Sequence, residues 1–271
     1  MNDASRLAEL VETWRQAIAE FVALARDLPE DQWGLSTDLD GWSVKDNVAH
    51  TAHLEAVLAG APEETGPVDA APHVKNLTGA YTEQGVAARR DRDMASLADE
   101  IEQSAAKRYA AIQADPPTDG AGSPPKTPGD IGWSTEVLLS NRPLDVWMHE
   151  QDIRRAIGRP STFDTPPARH AVATLGRSLG YVVGKRVAPP AGTTVQVDLT
   201  DAAQRWTVRM TDDGRATFVD PVDSPTVRIR LSVEEFVVLA GGRRPVEDAS
   251  PQIEGDADLA RAVLANLAVT P

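Results

Sequence analysis

Three residues in two stretches of the chain carry side chains suited to bond-making chemistry: His50, Asp145 and His149. Asp145 and His149 stand four apart in the apolar-periodic run Leu144-Asp145-Val146-Trp147-Met148-His149. A four-residue step returns to one helix face a turn later, so both side chains can aim at one point. His50 lies in another helical stretch that begins after Gly41-Trp42-Ser43. If it faces the same point, two imidazoles and one carboxylate meet with coordination positions left open. That donor set describes a catalytic metal site rather than a structural one, and suits zinc, nickel or iron. Any one of the five histidines alone is more often a structural residue. The joint pattern carries the weight, because a buried imidazole or carboxylate needs a partner and one cation supplies it for all three.

Composition narrows the chemistry. The 271 residues contain no cysteine, so no disulfide forms and a reaction that needs a thiol must import it. A formal charge of −14 argues against nucleic-acid or anionic-membrane partners. Hydrophobic content of 41% with 25% charged residues supports a folded core. Met1-Asn2-Asp3 lacks the basic start and apolar core of a signal peptide, and no apolar run nears the ~20 residues that span a bilayer. The expectation is a cytoplasmic protein.

The elements that must position the three residues can be read from periodicity. Residues 4–28 form a helix with apolar positions at Leu7, Leu10, Val11, Trp14, Ile18 and Phe21, closed before Pro29. Ser43 and Asp46 make a capping-box pair that starts a second helix over about 44–59. Residues 63–72 read as a polar loop. A third helical region covers about 74–113, broken at Arg89–Asp93 and restarted by Asp93 or Ser96. The proline- and glycine-rich segment 115–130 reads as a long mobile loop. A fourth helix over about 134–157 carries Asp145 and His149, and Pro143 predicts a kink or restart in it. Four long helices of this kind suggest a bundle whose sites are built between facing helices. After a helix at about 168–184 the pattern changes to strands at 193–199, 206–210, 216–219 and 226–231, then helices at about 233–240 and 256–267. Asp213-Gly214 marks a hairpin.

These stretches resemble a known family. Gly41-Trp42-Ser43-Val44-Lys45-Asp46-Asn47-Val48-Ala49-His50 and Asp145-Val146-Trp147-Met148-His149-Glu150-Gln151-Asp152-Ile153-Arg154-Arg155-Ala156 look like the helix-two and helix-four signatures of the DinB-like metal-binding bundles. The whole chain resembles the mycothiol-dependent maleylpyruvate isomerase family of actinobacteria. The run Leu239-Ala240-Gly241-Gly242-Arg243-Arg244-Pro245, followed by Ile253-Glu254-Gly255-Asp256-Ala257-Asp258-Leu259-Ala260, looks like that family's sterol-carrier-like second domain. The resemblance implies a two-domain α+β protein: a DinB-like up-down four-helix bundle over residues 1–160 and a small α+β domain over 161–271, with the boundary within about 160–185. It also implies a divalent metal, usually zinc, held by a helix-two histidine and a Glu-x-x-x-His pair. His50 and His149 match that pattern, whereas Asp145 stands where the family usually has Glu. Arg243 and Arg244, with Arg230 behind them, are the candidate cationic residues for an anionic substrate.

The function implied is a metal-dependent transferase or cis-trans isomerase using mycothiol as thiol cosubstrate on a small, anionic electrophile. In isomerase members the thiol adds to a cis double bond, rotation follows, and the thiol leaves. In transferase members it stays on the product. Monomer and homodimer both fit. Two readings of other classes compete. A metal-dependent hydrolase would need a base near the metal, with Glu150 or His53 as candidates. A non-enzymatic small-molecule-binding member that lost activity is motivated by Asp145. Asp152, three residues after His149, is a candidate acceptor for its second ring N–H, and Trp42 and Trp147 are read as core packing.

Overall fold

A computed structural model describes residues 2–66, 71–161 and 163–270; part of the expected 63–72 loop lies outside them. The chain divides into two compact units, Met1–Ala171 and Val172–Pro271.

The first unit is helical. α1 (Asp3–Arg26) starts at Asn2, whose side chain accepts from the Ser5 N–H, and buries Leu7, Val11, Trp14, Ile18 and Phe21. α2 (Val44–Leu58) starts at the Ser43–Asp46 capping box expected from the sequence. α3 (Leu77–Ala87) and α4 (Met94–Ala114) are separated by the charged break at 88–93, and Asp93 rather than Ser96 caps α4. α5 (Thr135–Ala156) is capped by Ser134. α1 packs against α4 and α5, and α2 packs against the same two helices, so α1 and α2 face each other across the bundle. Long connections, 27–43 and 115–134, are what a chain needs to cross such a diagonal.

Two local expectations differ. Pro143 does not interrupt α5, which runs unbroken from Thr135 to Ala156. The lost backbone bond is outweighed by burial of most of the helix, with Leu138, Leu139, Val146, Trp147, Met148 and Ile153 packed inside. The 115–134 segment is irregular as expected but tethered. Gly120 N–H donates to Asp3 (3.3 Å), Gly129 N–H to Glu63 (3.2 Å), and Gly122 C=O accepts from Thr135 N–H (2.8 Å).

The second unit is α+β. β1 (Thr194–Leu199), β2 (Arg205–Met210), β3 (Ala216–Val219), β4 (Val227–Leu231) and β5 (Gln252–Gly255) form one sheet in the order β3-β2-β1-β4-β5. Only β1 and β4 are parallel. Gly214 has φ +74° in the turn between β2 and β3, the left-handed conformation that the Asp-Gly signal requires. α8 (Val233–Ala240) and α9 (Ala257–Ala265) match their sequence signals. The single helix expected over 168–184 is instead α6 (Pro166–Arg177), a short α7 (Leu179–Tyr181) and a π-helical turn at Val182–Val187. This stretch lies close against the sheet. A Cβ on Gly176 would lie 2.1 Å from the Trp206 ring, and one on Gly184 2.7 Å from Ala216. β5 escaped the sequence reading because all four of its residues are exposed, so it shows no in-out alternation.

Candidate metal centre

α2 has almost no water-facing side: Val44 and every residue from Asp46 to Val57 are buried. Each polar residue on it therefore needs a partner inside the protein. Asn47 donates to Ser43 C=O (2.9 Å), Thr51 donates to Asn47 C=O (3.1 Å), and Glu55 accepts from Trp14, Arg108 and Arg142. The two histidines are the exceptions: neither ring nitrogen of His53 has a hydrogen-bond partner, and one ring nitrogen of His50 lacks one. His50 Nδ1 is buried without a hydrogen-bond partner, and His50 Nε2 faces Asp145 Oδ2 at 3.7 Å.

From α5, His149 Nε2 faces the other carboxylate oxygen, Asp145 Oδ1, also at 3.7 Å. The two imidazoles are 4.6 Å apart between ring centres. One donor atom from each of His50, Asp145 and His149 lies within 4.8 Å of the others. The Nε2-to-oxygen separations are too long for hydrogen bonds. They are near the roughly 3.3 Å that separates tetrahedral ligands each about 2.0–2.1 Å from one zinc ion. The donor set and its spacing thus fit a divalent cation.

The charges around the triad are arranged for this. Burial alone would raise the Asp145 carboxyl, but Arg142 and the two imidazoles hold it well below the usual carboxylate range. Arg142 is wholly buried and donates to Asp145 Oδ2 at 2.8 Å and to Glu55 at 2.8 Å. Burial pushes the His50 imidazole down to about 4, so it is neutral and its lone pair is available. Burial would also lower His149, but Asp145 and Asp152 raise it above its ordinary value. The Asp145 side chain is 23% exposed, whereas those of His50 and His149 are 4% and 7%, so solvent reaches the cluster from the carboxylate side. Trp42 covers another side, with its ring centre 5.0 Å from His50 and 5.9 Å from His149. It packs against the bundle core as expected, and its indole N–H is anchored on Glu83 (2.9 Å), which also binds Arg90 and His73.

The other candidates are placed as follows. Asp152 lies 3.5 Å from His149 Nδ1 and is ion-paired with Arg155, while Asn47 Oδ1 takes the shorter position at 2.7 Å. Neither proposed hydrolytic base is hydrogen-bonded or ion-paired to the triad. His53 is wholly buried against Tyr81 with both ring nitrogens unpartnered, and Glu150 is bound to Arg154. Trp147 is wholly buried beside Phe163. In the second unit, Arg243 donates to Gly241 C=O (2.7 Å) and Thr270 (3.2 Å). Arg244 is exposed just beyond it, and Arg230 lies 3.5 Å from Glu254 on the sheet. Asn47, Arg142 and Glu55 were not singled out from the sequence. The signal that could have found them is polar residues inside helices otherwise apolar on every side.

Fold and site together define a class: a helical bundle with a two-histidine, one-carboxylate candidate metal centre, followed by a small α+β unit. The sequence model of the mycothiol maleylpyruvate isomerase N-terminal domain matches residues 14–154, and that of the MDMPI C-terminal domain matches residues 167–262. The first alone spans more than half of the chain, and the protein belongs to this family. A crystal structure of the mycothiol-dependent maleylpyruvate isomerase shares the fold at 17% identity and a TM-score of 0.59, covering 95% of this chain and 98% of that one. A crystal structure of a mutant of that isomerase gives 16% identity and a TM-score of 0.58, covering 93% and 96%. No curated protein matches the chain.

Proposed function

We propose that the protein is a metal-dependent enzyme that uses mycothiol as cosubstrate and acts on a small, anionic electrophile, as an isomerase or a transferase. The observation that carries this reading is the convergence of His50 Nε2, His149 Nε2 and Asp145 on one partly open point, in a member of a family named for a mycothiol-dependent isomerase. A divalent cation held there, zinc before nickel or iron, would stabilise a bound thiolate near neutral pH. The chain's own residues supply the rest. His50 offers a neutral nitrogen donor, His149 offers one once a cation displaces its proton, and Asp145 offsets one positive charge. Arg142 fixes the direction of the Asp145 carboxylate. Trp42 shields the imidazoles from water. With no cysteine, the chain cannot offer a competing thiolate of its own.

Arg243 and Arg244 are proposed to bind the anionic group of the substrate, since a guanidinium pairs with a carboxylate through two parallel hydrogen bonds. The proposed metal ligands belong to the proposed 1–160 domain and these arginines to the proposed 161–271 domain, with the boundary within 160–185.

The deciding experiment measures metal content of the purified protein, then consumption of maleylpyruvate and related electrophiles with and without mycothiol. Stoichiometric metal with thiol-dependent turnover is the expected result. Full metal occupancy with no turnover under any thiol would overturn the proposal, and thiol-independent hydrolysis would favour the hydrolase.

A further inference from the structure

We infer that Asn47 is a positioning residue that fixes the tautomer of His149, and thereby which ring nitrogen a cation meets. The orientation of its amide follows from hydrogen-bond roles alone. Asn47 Nδ2 lies 2.9 Å from Ser43 C=O and 3.3 Å from the Thr37 hydroxyl. A carbonyl only accepts, so the nitrogen end of the amide must face Ser43. The oxygen end then faces His149 Nδ1 at 2.7 Å. An amide oxygen also only accepts, so Nδ1 carries the hydrogen and, in the neutral imidazole, Nε2 keeps the lone pair. Nε2 is the nitrogen that faces Asp145.

The lock extends into the preceding loop. Thr37 spends its own hydrogen on Trp42 C=O (2.9 Å), leaving its oxygen to accept from Asn47. Asn47 is wholly buried, so water does not compete for its amide. The rival partner, Asp152, is farther away at 3.5 Å and engaged by Arg155. The choice of a neutral amide has a chemical consequence. A carboxylate behind a ligating histidine raises its basicity more than an amide does. Asn47 therefore holds the ring in place as a neutral acceptor, while the Asp152 carboxylate 3.5 Å away supplies the charge behind it.

This inference rests on reading His50, Asp145 and His149 as the metal site, and its first readout needs no metal. Long-range proton–nitrogen spectra of the metal-free, histidine-labelled chain at alkaline pH should show His149 protonated at Nδ1. Asn47→Leu should lose that preference and weaken zinc binding by roughly 10- to 100-fold, with an altered cobalt(II) visible spectrum. Asn47→Asp should restore the tautomer and bind zinc at least as tightly as the wild type. Protonation at Nε2 in the wild type overturns the inference. So does an Asn47→Leu protein with unchanged tautomer and zinc affinity, which would assign the role to Asp152. If Asn47→Leu does not fold, the wild-type spectrum and Asn47→Asp still decide. A wild type that binds no zinc yet shows Nδ1–H would sink the metal reading and leave the tautomer assignment standing.

Discussion

At the scale of single residues, Asp145 does two jobs. It lies 3.7 Å from each imidazole nitrogen and shares a 2.8 Å hydrogen bond with Arg142. Asp145→Asn keeps its shape and removes its charge. We expect zinc affinity to fall by more than the roughly 10- to 100-fold that losing a supporting group costs, measured by titration against a competing chelator. Unchanged affinity would remove Asp145 from the ligand set. Asp145→Glu, one methylene longer, should bind zinc more tightly, because the longer side chain can approach both nitrogens without leaving Arg142. The spacing of Asp145 and His149 was legible because a helix converts a four-residue step into a shared face. Asn47 was not legible, because nothing in a sequence says which buried amide ends beside which imidazole 102 positions away.

At the scale of elements, α2 and α5 are joined by charge as well as by packing. Glu55 from α2 sits between Arg142 of α5 and Arg108 of α4, and takes the indole hydrogen of Trp14 from α1. All four are buried. Removing one partner of such a group strands the others without solvent. Glu55→Ala should therefore cost about 3–5 kcal/mol and lower Tm by on the order of 10 °C, read by thermal unfolding of the metal-free protein. A loss below about 1 kcal/mol would mean that water enters and replaces Glu55. Helix starts at Ser43 and Asp93 were readable because capping is a local hydrogen bond between near neighbours. The Glu55–Arg142 pair spans 87 positions, and β5 is an exposed edge, so neither leaves a periodic trace. Pro143 misled because burial of α5 overrides a local penalty.

At the scale of the whole molecule, buried histidines set an acid limit on stability. Burial pushes both His50 and His53 down to about 4. In the unfolded chain they bind protons near pH 6.5, so the unfolded state gains protons first as pH falls. The stability they support is complete above about pH 6.5 and is lost as pH drops toward 4. His149, raised by its aspartates, acts in the opposite sense and offsets part of the loss. Urea unfolding of the metal-free protein should show stability falling through this window. His53→Gln should flatten that fall by an amount of the order of 3 kcal/mol or less. An unchanged slope would mean that His53 titrates normally. The two-part architecture was legible because helical spacing gives way to alternation near residue 190, and the sheet's parallel β1–β4 pairing was not, since it depends on strands 32 positions apart. Burial of α2 on nearly every side has one more consequence, for hydrogen exchange. Amide hydrogens in α2 have no route to deuterium through local fraying, so they exchange when the helical unit opens as a whole. Slow exchange is therefore expected in the helix that carries His50. Any cation bound there should lengthen α2 exchange by its full binding free energy, while the amides of the exposed edge β5 keep their pace.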